Sequence, residues 1–311
     1  MKKFILFTLS ILMLISCNKE PEIDSSMLDS GLYFDQSIYQ PEKYLVSASV
    51  PAPTPAQAVS PVIIAIHGYG ATTFEWDEFR TWKGSRTDFS ISQVLLGGHG
   101  RDYQSFKNST WRDWREPIVT EFEKLEKAGY TNISFAGSST GSTLILKLLA
   151  EGYFDSHIKP RHVFLIDPII IPANKTLTLV GVLGPIIGYT KVDNTAGEEK
   201  YYYHYRPYET LQQLRDIINE VRIDLQKGVT LPVGTTLKVY KSDNDDVADA
   251  ASAVLIHKGI VSSTGNAPEI AMIPSKLHVF TRLNHRENTP ASSDIANQTK
   301  AFSEMAYVLI K

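Results

Sequence analysis

The chain has 311 residues, 43% hydrophobic and 21% charged, a composition ordinary for a folded globular protein. Its 31 basic and 34 acidic side chains leave a formal charge of −3, which excludes a nucleic-acid binder resting on bulk positive charge and a disordered, highly charged chain. A single cysteine excludes an intramolecular disulfide and any Cys-based zinc or iron–sulfur centre.

Met1-Lys2-Lys3 is a basic start, and Phe4 to Ile15 is apolar apart from Thr8 and Ser10. That core is too short for a comfortable membrane span and suits a signal peptide. It ends in Leu14-Ile15-Ser16-Cys17, where a small residue precedes the chain's only cysteine. This stretch resembles the bacterial lipobox. The resemblance implies removal of residues 1–16, acylation of Cys17 and a lipid anchor in the bacterial cell envelope, at the outer membrane or the cell surface. Several acyl chains give near-permanent attachment, since each buried methylene contributes about 0.8 kcal/mol. The rest of residues 17–30 is polar, with Glu20, Glu22, Asp24 and Asp29 against Lys19, and is expected to be a flexible tether. Residues 31–311 are expected to form one domain.

Tyr44 to Val50 reads as a strand, followed by the loop Pro51-Ala52-Pro53-Thr54-Pro55. Val62 to Ile66 is a short continuous apolar run, as in a buried strand of a parallel sheet. Thr73 to Lys83 reads as helix and Ile91 to Leu96 as strand. Trp111, Trp114, Ile118, Phe122 and Leu125 mark one face of a helix over 110–127 that stops at Gly129. Then come a strand at Ile133 to Ala136, a helix at Thr140 to Ala150 and a strand at Val163 to Ile166. This alternation predicts an α/β fold with a mostly parallel sheet flanked by helices. It breaks over 169–231, which reads as an insertion lying over the sheet, with a helix near Glu209 to Gln226. It resumes with a strand at Leu237 to Tyr240, a helix from about Val247, a strand at Leu277 to Thr281 and a final helix from Ser292 to Ile310.

Gly137-Ser138-Ser139-Thr140-Gly141 fits G-x-S-x-G between a predicted strand and a predicted helix. So sharp a strand-to-helix turn strains the central residue and requires small neighbours two positions away. It aims helix N-terminal amides at the reaction centre, so the Thr140 amide can serve an oxyanion. His67-Gly68-Tyr69-Gly70 follows an early strand and offers the Tyr69 amide as second donor, with His67 bracing the loop. A nucleophilic serine needs a base, and the base an orienting carboxylate. Three aspartates, Asp243, Asp245 and Asp246, compete after the strand 237–240. For the base, His278 falls inside the predicted strand 277–281, so His285 is preferred.

These stretches resemble the α/β-hydrolase superfamily from about residue 60 to the end, and more narrowly bacterial carboxylesterases and monoacylglycerol lipases. Gly97-Gly98-His99-Gly100 and Trp111-Arg112-Asp113-Trp114 add to the likeness. The resemblance implies the α/β-hydrolase fold, with 169–231 as a cap or lid insertion between the sixth and seventh strands. It implies Asp245 as the triad acid and His285 as the base. Lys241-Ser242 departs from the family, which often has glycine before the acid. The expected function is a serine hydrolase of carboxylic esters with short to medium acyl chains, needing no cofactor and no metal. Its expected partners are a small ester or acylated substrate and the membrane through the anchor, with no nucleic acid. The same triad could serve glycan deacylation, thioester or peptide hydrolysis, or acyl transfer. A different class of reading is a tethered binding lipoprotein with a vestigial hydrolase fold. The apolar run Thr178 to Ile187 offers an acyl wall or cap packing. Tyr201-Tyr202-Tyr203-His204-Tyr205 offers stacking faces for a sugar or a closed lid.

Overall fold

The computed structural model describes residues 20–32, 40–173 and 187–311. The signal peptide, Cys17 and all of the run 178–187 except Ile187 lie outside the described residues.

Among the described residues, ten strands occur in chain order: β1 Val62–Ile66, β2 Ser90–Val94, β3 Ile133–Ser138, β4 His162–Ile166, β5 Tyr189–Lys191, β6 Tyr205–Pro207, β7 Val229–Thr230, β8 Thr236–Ser242, β9 Ile260–Val261 and β10 Glu269–Ile273. Six of them form one sheet in the order β10-β8-β4-β3-β1-β2, parallel throughout. Alternating side chains explain why it is covered on both faces. Val62, Ile64 and Ile66 join a core with Trp114, Phe122, Leu144 and Ile217, contributed by the helices Trp111–Ala128, Thr140–Ala150 and Tyr208–Lys227. Ile63 and Ala65 face the other core, with Trp76, Phe79, Phe302 and Met305 from the helices Asp77–Lys83 and Ser292–Leu309 and the turn before the first of them. The helix Trp111–Ala128 starts where it does because Thr110 and Asp113 cap each other reciprocally, and Gly129 ends it in a left-handed conformation, φ 98°.

Two expectations need correction. Tyr44 to Val50 is not a strand but two helical turns, Pro41–Tyr44 and Val46–Ser49, fixed by the buried Glu121 carboxylate, which accepts from the Ser47 amide and hydroxyl. Leu277 to Thr281 is not the last strand. That strand is β10, bounded by Pro268 and Pro274 and half-exposed at the sheet edge, while 277–281 is a turn. Its apolar composition reflects a buried turn: Val279 and Phe280 sit in the core, and the Phe280 amide donates to Asp167. The 169–231 segment leaves the sheet after β4 and returns to it at β8.

Within 169–231, the helix Tyr208–Lys227 packs into the main core through Leu214, Ile217, Ile218, Val221 and Leu225. The β5–β6 hairpin and the turns between its strands lie over the C-terminal end of the sheet. Residues 20–30, part of the expected tether 17–30, dock on this cap. The buried Asp29 carboxylate accepts from the amides of His204 and Tyr205 at 2.8 and 3.0 Å, and Leu28 packs with Phe106 and Tyr203. The tether's acidic character thus has a local use, because the two amides at the start of β6 find their acceptor there.

Candidate active site

Ser139 sits between β3 and the helix Thr140–Ala150, at φ 48° and ψ −117°. A positive φ at a non-glycine residue is strain that the surroundings must enforce. They do so by proximity: a Cβ on Gly137 would lie 2.6 Å from the Ser142 amide nitrogen, and one on Gly141 would lie 2.5 Å from the Ile66 carbonyl. The G-x-S-x-G spacing is therefore the condition for helix, turn and β1 to pack this closely, and the turn lifts Ser139 Oγ to the cavity above the sheet.

The histidine that meets it is His278. Its Nε2 lies 2.8 Å from Ser139 Oγ and its Nδ1 lies 2.8 Å from Asp245 Oδ2. His285, the base expected from sequence, is not part of this chain of hydrogen bonds. It is exposed, has φ 61°, and its ring leans on Phe74 and Tyr201 at the cap, with its carbonyl accepting from the Thr195 hydroxyl. The displacement has a definite cause. With the strand at 269–273, His278 stands in the loop after the last strand, four residues past Pro274. Its turn is held by the positive φ of Val279, 53°, and by Arg286, whose Nη2 donates to the carbonyls of His278 and Val279.

Of the three aspartates, Asp245 alone reaches the histidine and is buried; Asp243 and Asp246 are exposed. Asp245 Oδ1 accepts from the amides of Val247 and Ala248 at 2.8 and 3.1 Å. Oδ2 accepts from His278 and also from Lys241 Nζ at 2.6 Å. Burial pushes this carboxyl up, but the hydrogen bonds and charges of His278 and Lys241 outweigh it and hold the group well below the usual carboxylate range.

Tyr69 lines the cavity beside Gly68 and Ser139. Its hydroxyl pairs with Thr210 Oγ1 at 2.7 Å, and Arg206 lies over its ring and donates to its carbonyl at 2.9 Å. Gly68 is fixed from behind, its amide donating to Glu75 Oε1 at 2.8 Å. His67 is buried, accepts from the Leu96 amide through Nε2 and contacts the Gly68 carbonyl through Nδ1. Burial pushes its pKa down to about 4, so it is a neutral brace near pH 7. Thr140 is fully buried at the first helical position after Ser139.

The cavity over Ser139 measures about 600 Å³. Its described wall mixes charged groups, among them Glu75, Glu198, Arg206, Arg282 and Arg286, with apolar surface from Tyr69, Val192, Tyr202, Val247, Leu277 and Val279. Arg282 is paired with Glu198 at 2.6 Å and lies over the Tyr202 ring. Burial and the neighbouring Arg282 push the Arg286 guanidinium down to about 10. In the tyrosine-rich segment only Tyr202 lines this cavity: Tyr201 stacks on Phe74 at 4.0 Å and Tyr203 on Phe106 at 4.2 Å, as packing. Sequence reasoning missed Lys241, Asp167 and the three arginines as parts of the site, since each gains its role from a neighbour distant in the chain. Among the described residues, no group of three or more His, Cys, Asp or Glu is placed to hold a metal ion.

No known family profile matches the chain. Solved structures are similar to it in architecture. A metagenome-derived lipolytic enzyme, from work on LipS and LipT, aligns at TM-score 0.62 and 18% identity, over 80% of this chain and 94% of that one. A soluble variant of the monoglyceride lipase of Saccharomyces cerevisiae aligns at TM-score 0.62 and 13% identity, over 83% and 88%. Est1E from Butyrivibrio proteoclasticus, solved with ferulic acid bound, aligns at TM-score 0.53 and 15% identity, over 83% and 93%. Likeness at such identity speaks to architecture and not to chemistry, and it agrees with the parallel sheet and the strand–turn–helix around Ser139: the chain has the α/β-hydrolase fold.

Proposed function

We propose that the protein is a serine hydrolase of carboxylic esters with short acyl groups and polar alcohols. The observation that carries this reading is the chain Ser139 Oγ–His278 Nε2, His278 Nδ1–Asp245 Oδ2, each link 2.8 Å. With Nδ1–H donating to the carboxylate, Nε2 is free to accept the serine proton. Ser139 Oγ attacks the ester carbonyl, and His278 takes its proton. The developing oxyanion is met by the amides of Tyr69 and Thr140, each such donor typically worth about 2.7–4 kcal/mol. His278 then protonates the leaving alcohol, and water repeats the sequence on the acyl-enzyme.

The charged groups in this mixed wall are what favour a short acyl group and a polar alcohol. A methylene gains about 0.8 kcal/mol only by leaving water for an apolar surface, and guanidinium and carboxylate groups offer none. Those groups instead hydrogen-bond hydroxyls, which favours an alcohol moiety rich in them, as in an acylated glycan. The test is hydrolysis of p-nitrophenyl esters from acetate to palmitate by the chain from residue 18. Acetate and butyrate are expected to be turned over faster than laurate and palmitate by roughly 10-fold or more, about 1.4 kcal/mol in the barrier. A profile rising toward palmitate would contradict this preference.

We further propose that the chain is exported and lipid-anchored through Cys17 in a bacterial envelope, on the strength of the residues before it. Cys17→Ala is expected to move the protein from the membrane to the soluble fraction, and its retention at the membrane would contradict the anchor.

A further inference from the structure

The ammonium of Lys241 is fully buried, without lysine's usual access to solvent. It lies at the C-terminal end of β8 and bridges two buried carboxylates, Asp245 Oδ2 at 2.6 Å and Asp167 Oδ1 at 3.2 Å. Asp167, at the end of β4 with φ 44°, does not depend on it for hydrogen bonds. It also accepts from the Ser242 amide and hydroxyl and from the Phe280 amide. The contact with Asp245 is different in kind, because Lys241 and His278 share a single oxygen, Oδ2.

We propose that Lys241 is a positioning residue that sets the working pH range of the triad, its fixed positive charge on Asp245 reducing what protonated His278 gains from that carboxylate. The proposal rests on the reading of Ser139, His278 and Asp245 as catalytic. A carboxylate beside an imidazole favours its protonated form, and a cation on the same carboxylate opposes that. The free imidazole, the form that can accept the serine proton, therefore persists to more acidic pH than a lone aspartate would allow. The lysine also ties Oδ2 down, so the carboxylate is held when His278 cycles its charge.

Other charges face His278 across the cavity. The cap contributes Asp193, Glu198 and Arg206, and the loop after β1 contributes Glu75. The loop after β8 adds Asp246, and the segment from Lys276 adds Arg282, Arg286, Glu287 and Asp294. All of these are unchanged when Lys241 alone is replaced, so a difference between variants isolates its contribution.

The test compares the native chain with Lys241→Met and Lys241→Arg, reading the acid side of the kcat/KM profile and, by NMR, the titration of the His278 ring. Lys241→Met is expected to move both midpoints up by about one pH unit, and Lys241→Arg to leave them near the native position. Where Lys241→Met does not fold, the pair Lys241→Met with Asp167→Asn removes both buried charges. Its midpoints are still expected to rise, by less, because the ammonium is bonded to Asp245 and Asp167 is not. Midpoints that stay in place in a folded variant, with only kcat reduced, would overturn the proposal and leave Lys241 a purely structural group. The ring titration needs no turnover, so a chain that hydrolyses no ester would refute the proposed activity without deciding this point.

Discussion

His278→Ala is expected to lower kcat/KM for a short-chain ester by about 10⁴-fold or more, a barrier change of about 5.5 kcal/mol, while His285→Ala leaves it essentially unchanged. The contrast follows from position. His278 bridges Ser139 and Asp245 by two hydrogen bonds of 2.8 Å each. His285 rests against Phe74 and Tyr201. Removing the first leaves Ser139 with no acceptor for its proton and the leaving alcohol with no donor. Removing the second trims an exposed ring contact. Matched unfolding curves would show that neither loss comes from the fold. Equal losses in the two variants, or a larger loss for His285→Ala, would mean that the loop after β10 rearranges before reaction.

Asp245→Asn is expected to cost on the order of 10³–10⁴ in kcat, and Asp243→Asn little. Asp243 is exposed and accepts from Asn244 and from the Ser275 amide, so it braces the loop rather than the imidazole. In the proposed mechanism Asp245 fixes which ring nitrogen of His278 carries the proton and stabilises the imidazolium. An asparagine there can donate to Nδ1 and select the opposite tautomer, leaving Nε2 protonated and unable to accept from Ser139. The lysine beside it accentuates the effect, since a neutral amide also leaves the Lys241 charge with Asp167 as its sole buried carboxylate partner. A loss concentrated in kcat, with KM little changed, is the expected pattern.

Much of this architecture was legible in the chain. Strands buried on both faces announce themselves as continuous apolar runs, and Val62 to Ile66 and Val163 to Ile166 needed nothing else. The elbow was legible because close packing imposes Gly137 and Gly141 whatever the partners are. Asp245 fell within a short acidic loop after a recognisable strand. The histidine that bonds Ser139 and Asp245 is not legible, because an edge strand is half-exposed and carries a weak pattern, as in Glu269–Ile273, whereas a buried turn can imitate a strand, as in Leu277 to Thr281. One displaced strand moved the histidine by seven positions. The prolines at 268 and 274 were the available signal, since proline belongs at strand boundaries. The docking of residues 20–30 on the cap and the Lys241 bridge were not legible at all. Each depends on a partner far away in sequence: Asp29 on the amides of His204 and Tyr205, and Lys241 on Asp167.

The measurement that bears most directly on the serine-hydrolase reading is covalent trapping with a fluorophosphonate ester, followed by mass mapping of the modified peptide. A phosphonate is attacked as an ester carbonyl is, and its adduct stays on the nucleophile, so no guess about the natural substrate is needed. One adduct per chain is expected, on the peptide containing Ser139, absent from Ser139→Ala and strongly slowed in His278→Ala. A folded protein that stays unlabelled, or a label on another residue that survives Ser139→Ala, would contradict the account.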